Sequence, residues 1–350
     1  MKALLLREYE QLEITEMAAP EPGVDELLVR VEACGICGSD VHGYDGSSGR
    51  RIPPLVMGHE AAGTVVARGA GCERFAVGDR VTFDSTLYCG RCVYCLCGQV
   101  NLCEERQVLG VSCGEYRRMG AFAEMVAIPE RIAYRLPEGL SFAEAAMLEA
   151  VSVAMHAVRL TQPENGETAV VIGAGMIGAL TAQAARGYGY ERVVVVDVDE
   201  NRLKLIRDLG FENVLEETGE ELVQQVFAMT DGRGADAVFE AVGKSETVNV
   251  AIDCARKGGR VTLIGNVTPS VTLPVQKVVS RELRLQGSAA SAGEYPKAME
   301  WMMEGKIRVK PLISAVAPLE EGVEWFARLY GREPGLMKVI LAPQGVEAAK

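Results

Sequence analysis

The chain has 350 residues, of which 48% are apolar and 24% charged, and its formal net charge is −12. This length exceeds what one hydrophobic core usually supports, so we expect two domains. The acidic balance argues against nucleic acid or an anionic membrane surface as a partner, because both favour clusters of Lys and Arg. No segment is apolar enough for a membrane span, and the N-terminus lacks the apolar run of a secretory signal. We therefore expect a cytoplasmic protein.

Short apolar or alternating runs, bounded by Gly, Pro and Asp, dominate the first third of the chain. Strands at such close spacing predict a compact, barrel-like domain. The predicted strands are 27–31, 63–66, 80–83 and 123–128. A helix is predicted over 141–157, because Ser141 and Glu144 have the spacing of a capping box before an apolar-periodic segment.

From residue 168 onwards the pattern changes to alternating strands and helices. Val- and Ile-rich strands separated by amphipathic helices predict a parallel sheet that is covered on both faces. The predicted strands are 168–172, 193–196, 214–215, 237–239 and 261–264, and the helices are 176–188, 202–209, 220–229 and 247–255. A last helix (295–304) and strand (338–341) could return to the first domain.

Five cysteines lie close together in the first third of the chain. Cys89, Cys92, Cys95 and Cys103 have the spacing C-x2-C-x2-C-x7-C. Four thiolates can surround one tetrahedral zinc and leave no position for water, so the pattern predicts a structural zinc site. The alternative, free surface thiols, is disfavoured because exposed thiols are reactive. Cys97 is one thiol too many and is interpreted as a bystander.

A second group of metal-binding residue types lies between residues 34 and 60. Cys37 and His59 are candidate ligands of a chemically open zinc, with Glu60 or a later carboxylate as the third ligand and water as the fourth. Asp40 could accept a hydrogen bond from the metal-bound imidazole of His59 and fix its tautomer.

Two further polar residues of this stretch could serve as catalytic groups. Ser39 could hold a substrate hydroxyl, and His42 could pass a proton outward. The alternative for His42 is a surface histidine on a Gly-rich loop. His156 is interpreted as a packed helix histidine.

A glycine pattern follows the first strand of the predicted parallel sheet. Gly173, Gly175 and Gly178 fit G-x-G-x-x-G between a strand and a helix, where backbone N–H groups can approach a pyrophosphate. Asp197 ends the next strand, can bind both ribose hydroxyls and would repel a 2′-phosphate, which favours NAD over NADP. The predicted cofactor-binding residues are Gly173, Gly175, Met176, Ile177, Gly178, Asp197 and Arg202.

On these motifs the chain resembles the zinc-dependent medium-chain dehydrogenases, closest to the polyol branch of sorbitol and galactitol-1-phosphate dehydrogenases. The resemblance runs nearly end to end. It is carried by Cys-Gly-Ile-Cys-Gly-Ser-Asp, Gly-His-Glu, Val-Gly-Asp-Arg-Val, the four-cysteine segment, Gly-Ala-Phe-Ala-Glu and Gly-Ala-Gly-Met-Ile-Gly.

The resemblance implies an α/β protein of two domains that assembles as a tetramer or dimer. Residues 1–150 and 288–350 would form a GroES-like β-barrel catalytic domain, with a structural zinc lobe at 86–106. Residues 151–287 would form a NAD-binding Rossmann domain with a doubly wound parallel sheet.

The resemblance also implies a third ligand for the open zinc. Polyol dehydrogenases have a Glu near the start of the interdomain helix, and Glu149 matches it. Glu60 would approach the metal directly or through water. Family members often have Pro after this Glu, whereas this chain has Ala150. We therefore expect two zinc ions per chain, one catalytic and one structural, together with NAD.

The expected reaction is reversible oxidation of a secondary alcohol in a polyol, cyclitol or sugar derivative, with hydride transfer to NAD. The proton would leave through Ser39, the nicotinamide ribose and His42. Sorbitol itself is not implied, because 287–291 replaces the Arg-Tyr pair that contacts the polyol in sorbitol dehydrogenase. The alternatives are a threonine or amino-alcohol dehydrogenase and, from another class, a non-catalytic protein that binds zinc and NAD.

Overall fold

The computed structural model describes residues 1–113 and 116–350, and its contacts divide them into two compact units. The first unit comprises Met1–Glu149, Tyr295–Met303 and Leu312–Lys350, and the second comprises Ala150–Glu294 and Glu304–Pro311. Within the described ranges, no helix is both long and apolar enough to cross a membrane.

Strands and helices are named here in chain order. The strands are β1 Lys2–Glu8, β2 Gln11–Glu16, β3 Glu26–Gly35, β4 Leu55–Val56, β5 Glu60–Arg68, β6 Arg80–Phe83, β7 Thr86–Leu87, β8 Gln107–Val108, β9 Val111–Cys113, β10 Tyr116–Arg118, β11 Met125–Pro129, β12 Ala133–Arg135, β13 Thr168–Ile172, β14 Arg192–Val196, β15 Asn213–Leu215, β16 Ala235–Glu240, β17 Ala255–Leu263, β18 Arg284–Gly287, β19 Ile313–Pro318 and β20 Lys338–Ala342.

The α-helices are α1 Gly38–Tyr44, α2 Val93–Leu96, α3 Phe142–Ala145, α4 Leu148–Leu160, α5 Met176–Gly187, α6 Glu200–Asp208, α7 Gly219–Met229, α8 Ser245–Cys254, α9 Val275–Ser280, α10 Tyr295–Met303, α11 Gly322–Tyr330 and α12 Val346–Ala349. Short 3₁₀ helices span Val100–Leu102, Glu130–Ile132, Lys310–Leu312 and Leu319–Glu321.

The first unit is built on a mostly antiparallel sheet in the order β12-β6-β5-β3-β20-β19, with β11 also paired to β3. Strand β3 pairs with β5 on one edge and shares its other edge between β11 and β20. A smaller sheet has the order β2-β1-β4. The buried core includes Phe122 and Phe326, whose rings meet edge to face with centroids 5.7 Å apart.

The second unit contains a six-stranded sheet in the order β15-β14-β13-β16-β17-β18, and all its neighbouring strands run parallel. Strand β13 is buried along its whole length, as expected for a central strand covered on both faces. The order reverses between β13 and β16, and in doubly wound sheets ligands bind at the carboxyl ends of the strands at such a point. Together with the β-rich first unit, this sheet confirms the predicted α/β class.

The prediction of one continuous helix over 141–157 is wrong. The capping box forms as expected, with the Glu144 backbone N–H donating to Ser141 Oγ at 3.2 Å. However, α3 ends at Ala145, and Met147 N donates to Glu144 O in a tighter, three-residue turn before α4 begins. The break places Glu149 in the first turn of α4.

Candidate metal centres and cofactor site

The four predicted zinc-binding cysteines form one cluster. The sulfurs of Cys89, Cys92, Cys95 and Cys103 all lie within 4.8 Å of one another. Cys95 Sγ is 3.5 Å from Cys92 Sγ and 3.9 Å from Cys89 Sγ. Zinc–sulfur bonds of ~2.3 Å in a tetrahedron separate the sulfurs by roughly 3.8 Å, so the four thiols fit a zinc ion with no open position.

The backbone of the lobe favours ionisation of one of these thiols, that of Cys92. Cys92 is the N-cap of α2, and hydrogen bonds from the backbone of Cys95 and Glu104 lower the pKa of its thiol to about 6. A lowered thiol pKa favours the thiolate, which is the form that binds a metal. Cys97 follows α2 as an exposed residue outside the cluster.

The second predicted ligand group is brought together by the sheet. Cys37 is the N-cap of α1, two residues after the end of β3, and Glu60 opens β5. The register of β3 and β5 pairs Gly35 with Glu60, so Cys37, His59 and Glu60 meet although they are far apart in sequence. One potential ligand atom from each of these residues lies within 4.8 Å of the others. A thiolate, an imidazole and a carboxylate with a position left for water suit a catalytic zinc.

Glu60 is also held by a buried lysine that the sequence did not identify. Lys338 opens β20, is 2% exposed, and its Nζ donates to Glu60 Oε2 and to the carbonyl of Ile36. Burial alone lowers the pKa of Lys338, but the charges of Glu60 and Cys37 outweigh it and raise that pKa. A Cβ at Gly35 would overlap Glu60 Oε2, so the glycine leaves room for this ion pair.

Asp40 faces His59, whose imidazole the sequence predicted as its hydrogen-bond donor. Its Oδ1 is 3.4 Å from His59 Nδ1, an ion-pair distance, although among the described residues no atom completes a hydrogen bond to this buried nitrogen. Burial raises the pKa of Asp40, but the charges of His59 and Arg51 outweigh burial and lower it to about 2. Asp40 is therefore an anion facing the imidazole, the arrangement that orients metal-binding histidines.

The charge on Asp40 also affects the imidazole. Burial by itself lowers the pKa of His59, but the Asp40 carboxylate outweighs burial and raises that pKa well above its ordinary value. A metal binds the neutral imidazole, so zinc must compete with a proton at this residue.

The two predicted proton-transfer residues lie on α1. Ser39 is exposed in its first turn, and Ser39 Oγ accepts a hydrogen bond from Arg51 Nη2 at 3.1 Å. His42 is exposed one turn further along the same helix. Arg51, like Lys338, was not identified from the sequence.

The structure places Glu149 close to the ligand group but not within it. The group of described ligand atoms within 4.8 Å of one another comprises Cys37, His59 and Glu60. Glu149 Oε1 accepts a hydrogen bond from Ser85 Oγ at 3.2 Å. The pKa of Glu149 is raised to about 7, mainly by burial. The charge of His59 acts to lower this pKa, and the charge of Glu60 acts to raise it. The carboxylate therefore lies within electrostatic reach of two candidate ligands.

The glycine turn of the second unit has the geometry of a phosphate cradle. Gly173 has φ of +95°, a conformation that favours glycine, and a Cβ at Gly178 would overlap the carbonyl oxygen of Gly173. A Cβ at Gly175 would approach only Arg202 Nη1, at 4.0 Å, so the backbone there is open. Met176 opens α5, whose N-terminus offers free N–H groups to an anion.

Asp197 connects the second strand of the sheet to this turn. Its Oδ2 accepts a hydrogen bond from Ala174 N at 2.6 Å, and its Oδ1 accepts from Val198 N and Asp199 N. Arg202 Nη1 lies 3.4 Å from the same Oδ2. The predicted ribose-binding carboxylate therefore also fixes the turn, and the residues present fit a dinucleotide.

Comparisons with known proteins agree with this architecture. The family described as "Alcohol dehydrogenase GroES-like domain" matches residues 23–138, and "Zinc-binding dehydrogenase" matches residues 177–304. A sorbitol dehydrogenase of Arabidopsis thaliana is 35% identical over 87% of this chain and 84% of its own length.

Solved structures give the same result. The galactitol-1-phosphate dehydrogenase of Escherichia coli is 26% identical and has a TM-score of 0.89, covering 98% of this chain and all of its own. A zinc-binding dehydrogenase of Sinorhizobium meliloti 1021, solved bound to NADP, is 31% identical with a TM-score of 0.88, covering 98% of this chain and 99% of its own. The chain belongs to the zinc-dependent medium-chain dehydrogenases, in their polyol branch.

Family membership confirms several predictions from the sequence. This dehydrogenase is an oxidoreductase that acts on alcohols and uses zinc and a nicotinamide cofactor. Its first unit contains the predicted GroES-like domain. Family membership does not favour the non-catalytic alternative.

The two site residues that the sequence did not identify carry weak local signals. Arg51 follows another arginine and precedes Ile-Pro-Pro, which suggests only a solvated loop. Lys338 precedes Val-Ile-Leu-Ala, where a lysine at a strand end usually remains exposed. Both became identifiable only when the fold buried them beside carboxylates.

Proposed function

We propose that this dehydrogenase reversibly oxidises a secondary alcohol of a polyol, cyclitol or sugar derivative and transfers the hydride to NAD. The observation that carries the proposal is the group formed by the partly buried Cys37 and the buried His59 and Glu60, with Asp40 behind the imidazole. Relatives named for sorbitol and galactitol-1-phosphate support a polyhydroxylated substrate. They do not favour the amino-alcohol alternative.

The proposed roles follow from the positions of the side chains. Zinc, when bound, supplies a Lewis acid that lowers the pKa of a substrate hydroxyl. Cys37 and His59 hold the metal, and Asp40 keeps the imidazole oriented. Ser39, exposed on α1, would accept the substrate proton as it passes its own proton on, and the exposed His42 would release a proton to solvent.

For the third ligand we propose Glu149 rather than Glu60. Glu60 already neutralises the buried Lys338, and drawing it away would leave a buried cation without its counter-ion. Glu149 is held by a neutral hydroxyl, Ser85, and burial raises its pKa, so a cation would stabilise its charged form.

The ligand proposal is tested by two matched variants. Glu149→Ala is expected to lose the catalytic zinc and turnover while NAD binding persists. Glu60→Gln is expected to retain this zinc. Metal analysis and NADH fluorescence titration measure both properties, and full turnover of Glu149→Ala would show that the assignment is wrong.

For the cofactor we propose a preference for NAD. The N-terminus of α5 would hold the pyrophosphate, and Asp197 would face the ribose, where its charge would repel a 2′-phosphate. We expect kcat/KM to be higher with NAD than with NADP, and Asp197→Ser to reduce the difference. Equal use of both cofactors by the wild type would contradict this role of Asp197.

The remaining proposals concern metal content and assembly. We propose two zinc ions per chain, the structural one held by Cys89, Cys92, Cys95 and Cys103, and a cytoplasmic tetramer or dimer. Metal analysis and analytical ultracentrifugation test these numbers.

The substrate class is tested by a panel of polyols, cyclitols and sugar phosphates, with threonine and amino alcohols as the competing class. The readout is the rate of NADH formation. Faster turnover of threonine than of every polyol would overturn the proposed class.

A further inference from the structure

Arg51 is a buried cation beside the catalytic group. It precedes β4, and only 4% of its surface is exposed. Burying a guanidinium is costly unless its N–H groups are bonded, so its partners indicate what the burial achieves. Its Nε and Nη2 donate to Asp40 Oδ1 at 3.2 and 3.1 Å, Nη2 also to Ser39 Oγ at 3.1 Å, and Nη1 to the carbonyl of Arg50 at 3.1 Å.

Helix α1 is shaped to admit this side chain. Gly43 is buried in α1, and a Cβ there would overlap Cβ and Cγ of Arg51. Glycine lowers helix stability relative to alanine, because it loses more backbone freedom on folding. Helix α1 therefore has a residue that is unfavourable for helix stability at the position where the Arg51 side chain packs against it.

The first consequence concerns Asp40. Its Oδ1 contacts Arg51 and lies 3.4 Å from His59 Nδ1, while its Oδ2 accepts from the backbone N–H of Cys37 at 3.3 Å. Arg51 thus prevents the carboxylate from rotating away from the imidazole. Second-layer carboxylates of this kind orient the histidine ligand.

The second consequence concerns Ser39. A hydroxyl has one proton and two lone pairs, and a guanidinium only donates hydrogen bonds. Arg51 Nη2 therefore occupies one lone pair of Ser39 Oγ, and the hydroxyl proton must point elsewhere. The second lone pair stays available to a substrate hydroxyl, and the Ser39 proton is directed to the next acceptor.

We infer that Arg51 is a positioning residue that couples the metal's imidazole ligand to the proton acceptor, because one guanidinium fixes both Asp40 and Ser39. The inference rests on the proposed function for the role of Ser39. Its effect on Asp40 and His59 is independent of the substrate.

The inference is tested on the zinc-loaded enzyme with NAD and the best alcohol of the panel. Arg51→Met is expected to lower kcat by about 100-fold, the lower limit for general acid–base catalysis, with little change in KM. Zinc affinity at the site of Cys37 and His59, measured by chelator competition, is expected to fall about 10- to 100-fold, as for other carboxylates and charges behind a metal ligand. Arg51→Lys should recover zinc affinity more than kcat, because one ammonium can pair with Asp40 without reproducing the planar fork.

A double-substitution cycle separates positioning from general destabilisation. If Arg51 acts on turnover through Ser39, Ser39→Ala/Arg51→Met should turn over within about twofold of the slower single variant. Gly43→Ala should reproduce part of the Arg51→Met effect. Arg68→Met is the control: among the described residues its guanidinium donates to the loop carbonyls of Cys72 and Phe75, so kcat and zinc affinity should persist.

Two results would overturn the inference: unchanged kcat and zinc affinity in Arg51→Met, or losses of kcat that multiply in the double variant. If instead the wild type forms no NADH from any alcohol, the proposed function fails. The zinc-affinity measurements would then still decide whether Arg51 holds Asp40.

Discussion

The two groups of candidate zinc ligands are built in opposite ways. The lobe draws four thiols from Cys89–Cys103, a segment with a four-residue helix and a 3₁₀ turn, and its thiols are only partly buried apart from Cys103. The second group, named the mixed group because its ligands differ in type, comprises Cys37 at the N-cap of α1 and His59 and Glu60 at the start of β5. It lies among buried charges. The lobe needs the metal to hold its own fold, whereas the mixed group is held by the sheet and by the ion pairs behind it.

The largest expected effect is loss of a lobe ligand. Structural zinc contributes roughly 10–16 kcal/mol of apparent binding free energy in small zinc domains, so Cys95→Ser should lose one zinc per chain and unfold the lobe. Metal analysis and limited proteolysis between residues 86 and 106 measure the result. Cys97→Ser, at the exposed thiol outside the cluster, should keep both metals.

The next effect is on turnover. His59→Ala removes a ligand of the mixed group, and because Lewis-acid catalysis is worth several kcal/mol, kcat should fall by about 10³- to 10⁴-fold. The fold should persist, since the sheet holds this region, and near-ultraviolet circular dichroism checks it. The control is His156→Gln. His156 lies in the second unit beside Glu294, so this variant should retain both zinc ions. If His59→Ala turned over as fast as the wild type, the mixed group would have no part in catalysis.

A third effect tests whether buried ion pairs support the mixed group. Lys338→Met leaves Glu60 as a buried charge without its partner, which typically costs about 3–5 kcal/mol and lowers the thermal midpoint by on the order of 10 °C. Lys338→Met/Glu60→Gln removes both charges and should recover much of the loss. If the double variant were no more stable than Lys338→Met, the loss of stability would not come from the unpaired charge of Glu60.

The smallest expected effect is on the stability of the second unit, at a buried carboxylate that belongs to neither metal group. Glu294 accepts from His156 Nδ1 at 2.9 Å and Arg159 Nε at 2.8 Å. Burial raises its pKa, but the hydrogen bond and charge of His156 and the contact with Arg159 outweigh burial and lower it. Its stabilisation is therefore complete above the ordinary carboxyl pKa and is lost as the pH falls through the lowered one.

The measurement compares thermal midpoints of the wild type and Glu294→Gln from pH 7 to pH 3. Hydrogen bonds to a charged group are worth about 1.5–3 kcal/mol, and the difference should shrink as the pH falls. A difference that stays constant across this range would mean that the Glu294 charge does not contribute.

Much of the second unit could be predicted from the sequence, because its signals are local. Strand β13 and the start of α5 lie where the Val/Ile run and the glycine turn predicted them. Register cannot be predicted in this way. Strands β1 and β2 were not predicted, since Lys2–Glu8 mixes charge with a short apolar run and its pairing partner decides its conformation.

The sequence by itself determined the chemistry: the family, the four-cysteine pattern, the glycine turn, and a stretch rich in ligand-type residues. The tertiary structure decided the arrangement. It brought Cys37 to His59 through strand register, and it buried Arg51 and Lys338 against Asp40 and Glu60. A spacing motif identifies residues that meet within one short segment of the chain. The partner of a buried charge, in contrast, depends on which distant strand packs against it.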